Sequence, residues 1–190
     1  MYDSVVKEQT FVNGVNVDEF VETVEAIRQR PELARFQFRA KNRWVSGAFN
    51  LTSINEVYGA CQEHVREKTF VLEKDEPFFL LGTDKAANPV EHLLAALAGC
   101  LTTTLVYFAA AEGVELKEVA SQFEADGSVL GFLGIDENTR MGCEEIRVTF
   151  DIKTDAPQEK VRELIELVQA RSAVFDMLTN ETPVKIRLAE

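Results

Sequence analysis

Apolar residues run almost unbroken from residue 89 to residue 111, and this pattern predicts a long helix. Asn88 suits the N-cap of such a helix, Pro89 its first helical position and Gly113 the C′ position. The length corresponds to about six turns. Because apolar residues cover nearly every face, we expect this helix to be buried all round and to form the centre of the fold.

Helical periodicity predicts further helices on both sides of it. Residues 15–29 are amphipathic and acidic and are expected to end before Pro31, whereas residues 156–171 are expected to form the second long helix of the core. A short helix is also expected from Ser53 to Cys61.

Alternation of apolar and polar residues predicts the strands. Residues 34–51 are expected to hold two antiparallel strands joined near Lys41 and Asn42. Further strands or extended segments are expected at 69–73, 78–81, 116–129, 146–152 and 184–188. Residues 127–142, which hold four glycines, are expected to form a flexible loop or a bulged hairpin. This order indicates an α+β fold, with antiparallel sheets around two long helices rather than repeating βαβ units.

The chain is acidic, with a formal net charge of −12 over 190 residues. This balance argues against sequence-independent binding of nucleic acid and against anionic membrane surfaces, which attract clustered Lys and Arg. We therefore expect small molecules or proteins as partners. The first thirty residues lack the basic and apolar regions of a secretory signal, so a cytoplasmic protein is expected. The apolar helix is long enough to span a bilayer, but its acidic ends favour a core helix.

Three cysteines, Cys61, Cys100 and Cys143, occur without CxxC spacing, and there are only two histidines. A disulfide framework, a zinc site and histidine-based catalysis therefore find little support, and we expect neither a metal nor a cofactor. Cys100 is the best functional candidate because it lies in the middle of the apolar helix. It is either an inert packing residue or a reactive thiol.

Two motifs resemble the OsmC/Ohr superfamily of osmotically inducible and organic hydroperoxide resistance proteins. The first, NPVEHLLAALAGC, runs from Asn88 to Cys100, and the second, SAVFDML, runs from Ser172 to Leu178. Together with the order of strands and helices, they make residues 34–190 similar to an OsmC-like domain. Residues 1–33 fall outside the pattern and are expected to form an appended acidic helical extension.

The resemblance implies a thiol peroxidase that forms an intertwined homodimer with its sites at the subunit interface. In that family the cysteine of the central helix attacks a hydroperoxide, and a second cysteine, in a Cys-Pro-Val motif, closes a disulfide. An Arg and a Glu stabilise the thiolate and the leaving oxygen. Such help is needed because a thiol with a pKa of about 8.5 is a poor nucleophile at neutral pH.

Carried over by position, Cys100 is the peroxidatic residue, and Arg43, or else Arg39, is the arginine. The family's carboxylate directly follows the Asn-Pro pair, whereas here the acid is Glu91, one residue later, which is a rotation of about 100° on a helix. Ser172 replaces the second cysteine and cannot form a disulfide. The further candidates, for binding rather than catalysis, are Arg39, His92 and Ser172.

Two functions from different classes remain open. The first is thiol-dependent reduction of an apolar organic hydroperoxide through Cys100, with an external thiol in place of the second cysteine. The second is a non-peroxidase protein of the same fold that binds a small apolar or thiol-containing ligand at the dimer-interface pocket. The presence of Cys100 favours the first, whereas Ser172 and the displaced Glu91 favour the second. Packing roles are expected for Cys61 and Cys143, and an interaction role of the acidic N-terminal helix has the least support.

Overall fold

The structure, a computed structural model, describes residues 9–189. Its strands are β1 (Phe11–Val12), β2 (Val15–Asn16), β3 (Gln37–Phe38), β4 (Lys41–Ser46), β5 (Phe49–Gly59), β6 (Gln62–Lys74), β7 (Leu116–Asp126) and β8 (Glu145–Thr154). Its helices are α1 (Val17–Gln29), α2 (Pro89–Ala111), α3 (Val129–Phe132), α4 (Gln158–Arg171) and α5 (Ala173–Thr179). These elements form two compact units: residues 16–93, the first unit, and residues 10–15 with 94–189, the second unit. Antiparallel sheets combined with helices confirm the α+β class.

The first unit contains a four-stranded antiparallel sheet with β5 as its central strand. β6 pairs along one side of β5, and β4 and β3 pair one after the other along the opposite side. β4 and β5 are joined through Gly47, whose φ of +53° favours glycine. β5 and β6 are joined by Ala60 and Cys61, which both have positive φ, as a two-residue type I′ turn requires. α1 precedes the sheet and is capped by Asn16, which confirms the expected acidic helix.

Two expectations for this sheet are wrong. The first hairpin turns at residues 47–48 rather than near Lys41 and Asn42, because both of these residues already belong to the ladder between β4 and β5. The segment from Ser53 to Cys61 is strand and turn rather than helix. Its backbone is paired with β6, and this cross-strand pairing outweighs the weak helical signal of a short segment.

A buried carboxylate organises the loop between β6 and α2. Asp75 is 1% exposed and is the only buried residue in the described part of the first unit. It accepts hydrogen bonds from the Thr83 hydroxyl at 2.6 Å and from the N–H groups of Glu76, Thr83 and Lys85. The Thr83 hydroxyl, helped by these N–H groups against the cost of desolvation, holds the pKa of Asp75 at about 2. The same loop contains a 3₁₀ turn, Phe78–Leu80, in place of the expected strand or extended segment.

The second unit packs α2 and α4 against the antiparallel pair β7 and β8. The two strands pair from Leu116 opposite Thr154 to Asp126 opposite Glu145. β7 and β8 confirm the strands expected at 116–129 and 146–152, and α4 confirms the second long helix. The buried apolar core of the unit consists of Leu97, Leu101, Leu105, Ala109, Val114, Leu164 and Val168.

α2 buries one stripe of its surface rather than the whole of it. Its buried residues are Leu97, Leu101, Leu105, Ala109 and Ala110. Four of these recur at every fourth position, which places them on one face of the helix. The expectation of burial on all sides is therefore wrong for a single chain, in which only 28% of the most apolar window of α2 is buried. By length and composition alone, α2 is the one helix among the described residues that could cross a membrane, a property that core helices of globular proteins share.

Two other segments of the second unit differ from expectation. β7 ends at Asp126, and the loop that follows contains the short helix α3. Residues 180–189 form neither helix nor strand, although Val184, Ile186 and Leu188 alternate with polar residues and are 81%, 91% and 95% exposed. A strand requires a neighbouring strand to satisfy its backbone, and no strand of the described chain pairs with this segment.

The hairpin of β1 and β2 is attached to the second unit through its turn. The Asn13 side-chain amide donates a hydrogen bond to the carbonyl of Val114 at 2.9 Å, and its Oδ1 accepts one from the N–H of Leu116 at 2.8 Å. Residues 1–8 of the expected extension 1–33 lie outside the described residues. The division at residue 33 stays a prediction.

Candidate active site

The sulfur of Cys100 is held between α2, which carries it, and the junction of α4 with α5. The Ser172 hydroxyl donates a hydrogen bond to the Cys100 Sγ at 3.2 Å, and the N–H of Val174 donates a second one at 3.5 Å. The side chain of Cys100 is partly buried and its thiol is free. The structure therefore brings Cys100 of the first motif into contact with Ser172 of the second motif.

Ser172 is fixed in place by its own hydrogen bonds. It is 1% exposed, its N–H donates to the carbonyl of Val168 at 2.9 Å, and it follows directly on the last residue of α4. It is also the N-cap of α5, because its Oγ accepts a hydrogen bond from the N–H of Phe175 at 3.3 Å. Since that N–H occupies an acceptor position of the Oγ, the hydroxyl proton is available to the sulfur.

The hydrogen bonds at the sulfur favour its ionised form. Burial raises the pKa of the Cys100 thiol because it penalises the charged thiolate. The Ser172 hydroxyl and the N–H groups of Val174 and Ala173 stabilise the thiolate. Together they outweigh burial and hold the pKa of Cys100 below its ordinary value. All of these donors are neutral, so the second unit lowers the pKa without placing a cation against the sulfur.

Glu91 participates in a reciprocal cap at the start of α2. Its carboxylate accepts a hydrogen bond from the backbone N–H of Asn88 at 2.7 Å, and its own N–H donates to the Asn88 Oδ1 at 2.8 Å. This is the capping-box arrangement, with Asn88 as N-cap and Glu91 as the third helical residue. The carboxylate therefore has a structural task, whatever further role it has in chemistry.

His92 lies in the first turn of α2, which belongs to the first unit, and contacts the sheet of that same unit. Its Nε2 lies 2.8 Å from the carbonyl oxygen of Glu73, near the end of β6. A ring nitrogen at that distance from a carbonyl donates its proton, which fixes the tautomer. This contact gives His92 a structural role, because it holds the start of α2 against the end of β6.

The two candidate arginines lie on and beside β4 and differ in their partners. Arg39 donates to both carboxylate oxygens of Glu63, at 2.7 Å and 2.8 Å, and also contacts Gln37. It lines a cavity of about 200 Å³ in the first unit, next to Asn55, whose Oδ1 is buried without a partner among the described residues. Arg43 is exposed and lies opposite Leu51 in the ladder, and it makes no ion pair within the described first unit.

Sequence reasoning missed some of the groups around the sulfur. Thr104 lies four residues after Cys100 and donates to the Cys100 carbonyl at 2.7 Å, so helical spacing alone indicates that the two are neighbours. The N–H groups of Ala173 and Val174 leave no signal in the side-chain pattern. Among residues 9–189, no group of three His, Cys, Asp or Glu side chains is arranged to hold a metal ion.

Comparison with known proteins agrees with this fold. Residues 82–187 match the family model described as OsmC-like protein, and this range covers more than half of the chain and includes both Cys100 and Ser172. The chain belongs to the OsmC-like protein family. No curated protein sequence matches it.

Solved structures share the OsmC-like fold at low sequence identity. An OsmC-like protein from Mycoplasma pneumoniae is 17% identical, with a TM-score of 0.59 over 76% of this chain and 89% of that one. An OsmC-like protein of unknown function from Vibrio cholerae is 10% identical, with a TM-score of 0.56 over 77% and 94% of the two chains. An organic hydroperoxide resistance protein from Legionella pneumophila, at 14% identity and a TM-score of 0.49 over 74% and 89%, is too distant to bear on activity.

Proposed function

We propose that this OsmC-like protein reduces organic hydroperoxides with Cys100 as the nucleophile. The observation that carries the proposal is the pair of hydrogen bonds from the Ser172 hydroxyl and the Val174 N–H to the Cys100 sulfur. These donors favour the thiolate, which is the reactive form of a cysteine.

The reaction begins with attack of the Cys100 thiolate on the terminal oxygen of the hydroperoxide. The S–O bond forms as the O–O bond breaks, and the leaving alkoxide takes up a proton to become an alcohol. Cys100 is thereby oxidised to a sulfenic acid. Arg43 is our candidate for the cation that stabilises the leaving oxygen, with Arg39 second because Glu63 already binds its guanidinium.

Return to the thiol requires an external reductant. Ser172 occupies the position from which a second cysteine would reach the sulfur, and a hydroxyl cannot form a disulfide. An external thiol condenses with the sulfenic acid, water leaves, and a mixed disulfide forms. A second thiol then releases Cys100 and carries away the disulfide.

An apolar substrate fits the side chains next to Cys100 in the second unit. Val174 and Phe175, which are partly buried on α5, pack against the apolar core beside it. Aliphatic and aromatic surface of this kind favours the alkyl part of an organic hydroperoxide over hydrogen peroxide, which has no apolar part to bury.

We further propose that the active protein is a homodimer. α2 presents apolar surface that the described residues leave uncovered, and the alternating segment 184–188 has no strand to pair with among residues 9–189. Exposed apolar surface and unpaired strand edges of this extent are expected to be covered in the working protein. Sedimentation equilibrium at micromolar concentration is expected to give the mass of two chains, and a stable monomer would contradict the dimer.

The second candidate is a protein of this fold that binds a small apolar or thiol-containing ligand without turning over peroxide. The capping bonds of Glu91 favour it, since they engage the carboxylate that hydroperoxide reduction would use. Under this alternative Cys100 lines the binding pocket and reacts no faster than an ordinary buried thiol.

Peroxide consumption separates the two functions. Purified protein with excess dithiothreitol is expected to consume cumene hydroperoxide catalytically and hydrogen peroxide more slowly. Cys100→Ser is expected to abolish this activity, whereas Cys61→Ser and Cys143→Ser, the matched controls, are expected to retain it. Activity that survives in Cys100→Ser, or is absent from the unmodified protein, would overturn the peroxidase proposal.

A further inference from the structure

We propose that oxidised Cys100 is protected by a covalent bond to the backbone nitrogen of Val174, which gives a cyclic sulfenamide in place of the missing disulfide. The inference rests on the proposed function only for its oxidant, a hydroperoxide. The bond would join α2 to the first turn of α5 within the second unit.

The amide of Val174 is already directed at the sulfur. Its nitrogen lies 3.5 Å from the Cys100 Sγ and donates its hydrogen to it. The first N–H groups of a helix have no carbonyl partner within that helix, so this amide does not have to break a backbone hydrogen bond in order to react. Ser172 holds the sulfur from a second direction at 3.2 Å, which limits the movement of Cys100 away from the amide.

Other partners for the oxidised sulfur are less suitable. The Ser172 hydroxyl would give a sulfenate ester, which water readily returns to the sulfenic acid. The remaining thiols lie at other places in the fold: Cys61 is in the exposed turn between β5 and β6, and Cys143 is in the loop beside Gly127. Among the groups hydrogen-bonded to the sulfur, a backbone amide can give a lasting bond, and the amide of Val174 is the one whose nitrogen lies within 3.5 Å of the Sγ with its hydrogen directed at it.

The step balances without a further oxidant. The hydroperoxide oxidises Cys100 to the sulfenic acid, and the nitrogen of Val174 then attacks the sulfur. The S–N bond forms as the S–OH bond breaks, and the hydroxyl leaves as water with the amide hydrogen. An external thiol reverses the modification by attacking the sulfur, with return of the hydrogen to the amide.

Such a bond would protect the site when thiol reductant is scarce. A sulfenic acid without a partner is oxidised further to the sulfinic acid, which ordinary thiols do not reduce. The sulfenamide leaves the sulfur in a state that thiols can still recover. It therefore supplies the protection that Ser172, in place of a second cysteine, cannot provide.

The test uses full-length Cys61→Ser/Cys143→Ser protein, in which Cys100 is the only thiol. After one equivalent of cumene hydroperoxide, intact mass is expected to fall by about 2 Da, and dithiothreitol is expected to restore it. Trypsin cleavage after Lys85, Lys117, Arg171 and Lys185 should give one joined species of the peptides 86–117 and 172–185. Fragmentation is expected to place the link on the Val174 nitrogen.

Proline variants provide matched controls, because proline lacks an N–H and is tolerated in the first turn of a helix. Val174→Pro is expected to lose the joined peptides and to accumulate the sulfinic acid, about 32 Da heavier than the thiol. Ala173→Pro, one position earlier, removes a weaker donor to the sulfur, so Cys100 is expected to oxidise more slowly, but it keeps the Val174 amide and is expected to keep the link once oxidised. The same link in Val174→Pro, or its absence from both the parent and Ala173→Pro, would overturn the proposal.

A second experiment separates failure of the sulfenamide proposal from failure of the proposed peroxidase function. Excess hydrogen peroxide oxidises Cys100 whether or not organic hydroperoxides are preferred, and dimedone labels any sulfenic acid formed. Dimedone labelling in one sample, together with no loss of about 2 Da in a parallel sample oxidised without dimedone, would reject the sulfenamide and leave the peroxidase proposal intact. The loss with hydrogen peroxide but not with cumene hydroperoxide would support the sulfenamide and reject the organic substrate.

Discussion

The two units of the chain bury different kinds of residue. The second unit has an apolar core from α2 and α4, and next to it the buried Ser172 that contacts Cys100. In the described first unit, the only buried residue is the carboxylate Asp75, and large apolar side chains such as Phe70 are more than half exposed. Cys100, the proposed nucleophile, therefore lies in the unit with an apolar core of its own, whereas the candidate arginines lie on a sheet that is held by its ladders and one polar loop.

This contrast explains how the pKa of the Cys100 thiol is lowered by neutral donors of its own unit. Cys100 and its hydrogen-bond donors all belong to the second unit, and a packed core holds them at fixed distances. Arg43 is exposed on the first unit, whereas Arg39 is partly buried there and is held by Glu63. We therefore expect changes beside the sulfur in the second unit to alter the thiol itself, core changes in that unit to cost the most stability, and changes of the exposed surface of the first unit to cost little.

The largest expected effect is on stability. Leu105 is 0% exposed in the core of the second unit, so Leu105→Ala is expected to lower the free energy of unfolding by about 2–5 kcal/mol. Val71→Ala, at a strand residue of the first unit that is 55% exposed, is expected to cost about 0.5 kcal/mol. Urea denaturation of both variants measures the difference. Equal losses would remove the contrast between the units.

The buried carboxylate of the first unit gives a pH-dependent effect. Asp75→Asn is expected to lower the melting temperature by several degrees at pH 7, because the amide cannot accept all four hydrogen bonds as well as a carboxylate does. In the folded protein, the pKa of the Asp75 carboxyl is lowered from 3.8 to about 2. The stabilisation is therefore present above about pH 4 and is lost as the pH falls through 2. Melting curves from pH 7 to pH 2 should converge for the two proteins, and a constant gap would contradict this role.

The sequence predicted those helices and strands whose local residue preferences agree with their contacts in the folded protein. Asn88, Pro89 and Gly113 predicted the bounds of α2, since capping and proline preferences act within a few residues. The helix expected from Ser53 was wrong because a short apolar pattern does not separate helix from strand, and pairing with β6 decided it. Burial of α2 was overestimated because composition indicates how much surface requires covering but not which chain covers it.

The candidate site was only partly accessible for a similar reason. Cys100 and Ser172 were identified by their motifs, and the structure places their side chains in contact. The N–H of Val174 could not be identified, because backbone donors have no residue type. Glu91 was recognised as a carboxylate at the start of α2, but only its geometry reveals the reciprocal bonds with Asn88.

A smaller effect is expected when the hydroxyl beside the sulfur is removed. Ser172→Ala deletes the donor that contributes most to lowering the pKa of Cys100, so that pKa is expected to rise. At pH 7 the reaction of Cys100 with iodoacetamide should slow by about fivefold, as expected for the loss of one hydrogen bond to a thiolate. Ser172→Thr keeps a hydroxyl and is the control. An unchanged rate in Ser172→Ala would show that the hydroxyl does not activate the thiol.

The smallest effect separates capping from catalysis at Glu91. Glu91→Gln keeps an acceptor for the Asn88 N–H, so stability is expected to change by less than about 0.5 kcal/mol, whereas Asn88→Ala is expected to cost about 1 kcal/mol. If the carboxylate acts only as a cap, Glu91→Gln should retain the rate of hydroperoxide consumption. A loss of about tenfold or more with unchanged stability would assign the Glu91 charge a catalytic role.

The most direct test of thiol activation is the pH dependence of Cys100 oxidation. In Cys61→Ser/Cys143→Ser protein, stopped-flow measurement of thiol loss with cumene hydroperoxide gives the rate constant from pH 5 to pH 10. We expect the rate to rise with an apparent pKa below the value of about 8.5 for free cysteine, and to exceed the rate with hydrogen peroxide at every pH. An apparent pKa at or above that of free cysteine, with no preference for the organic hydroperoxide, would contradict the role of Cys100 as an activated peroxidatic thiol.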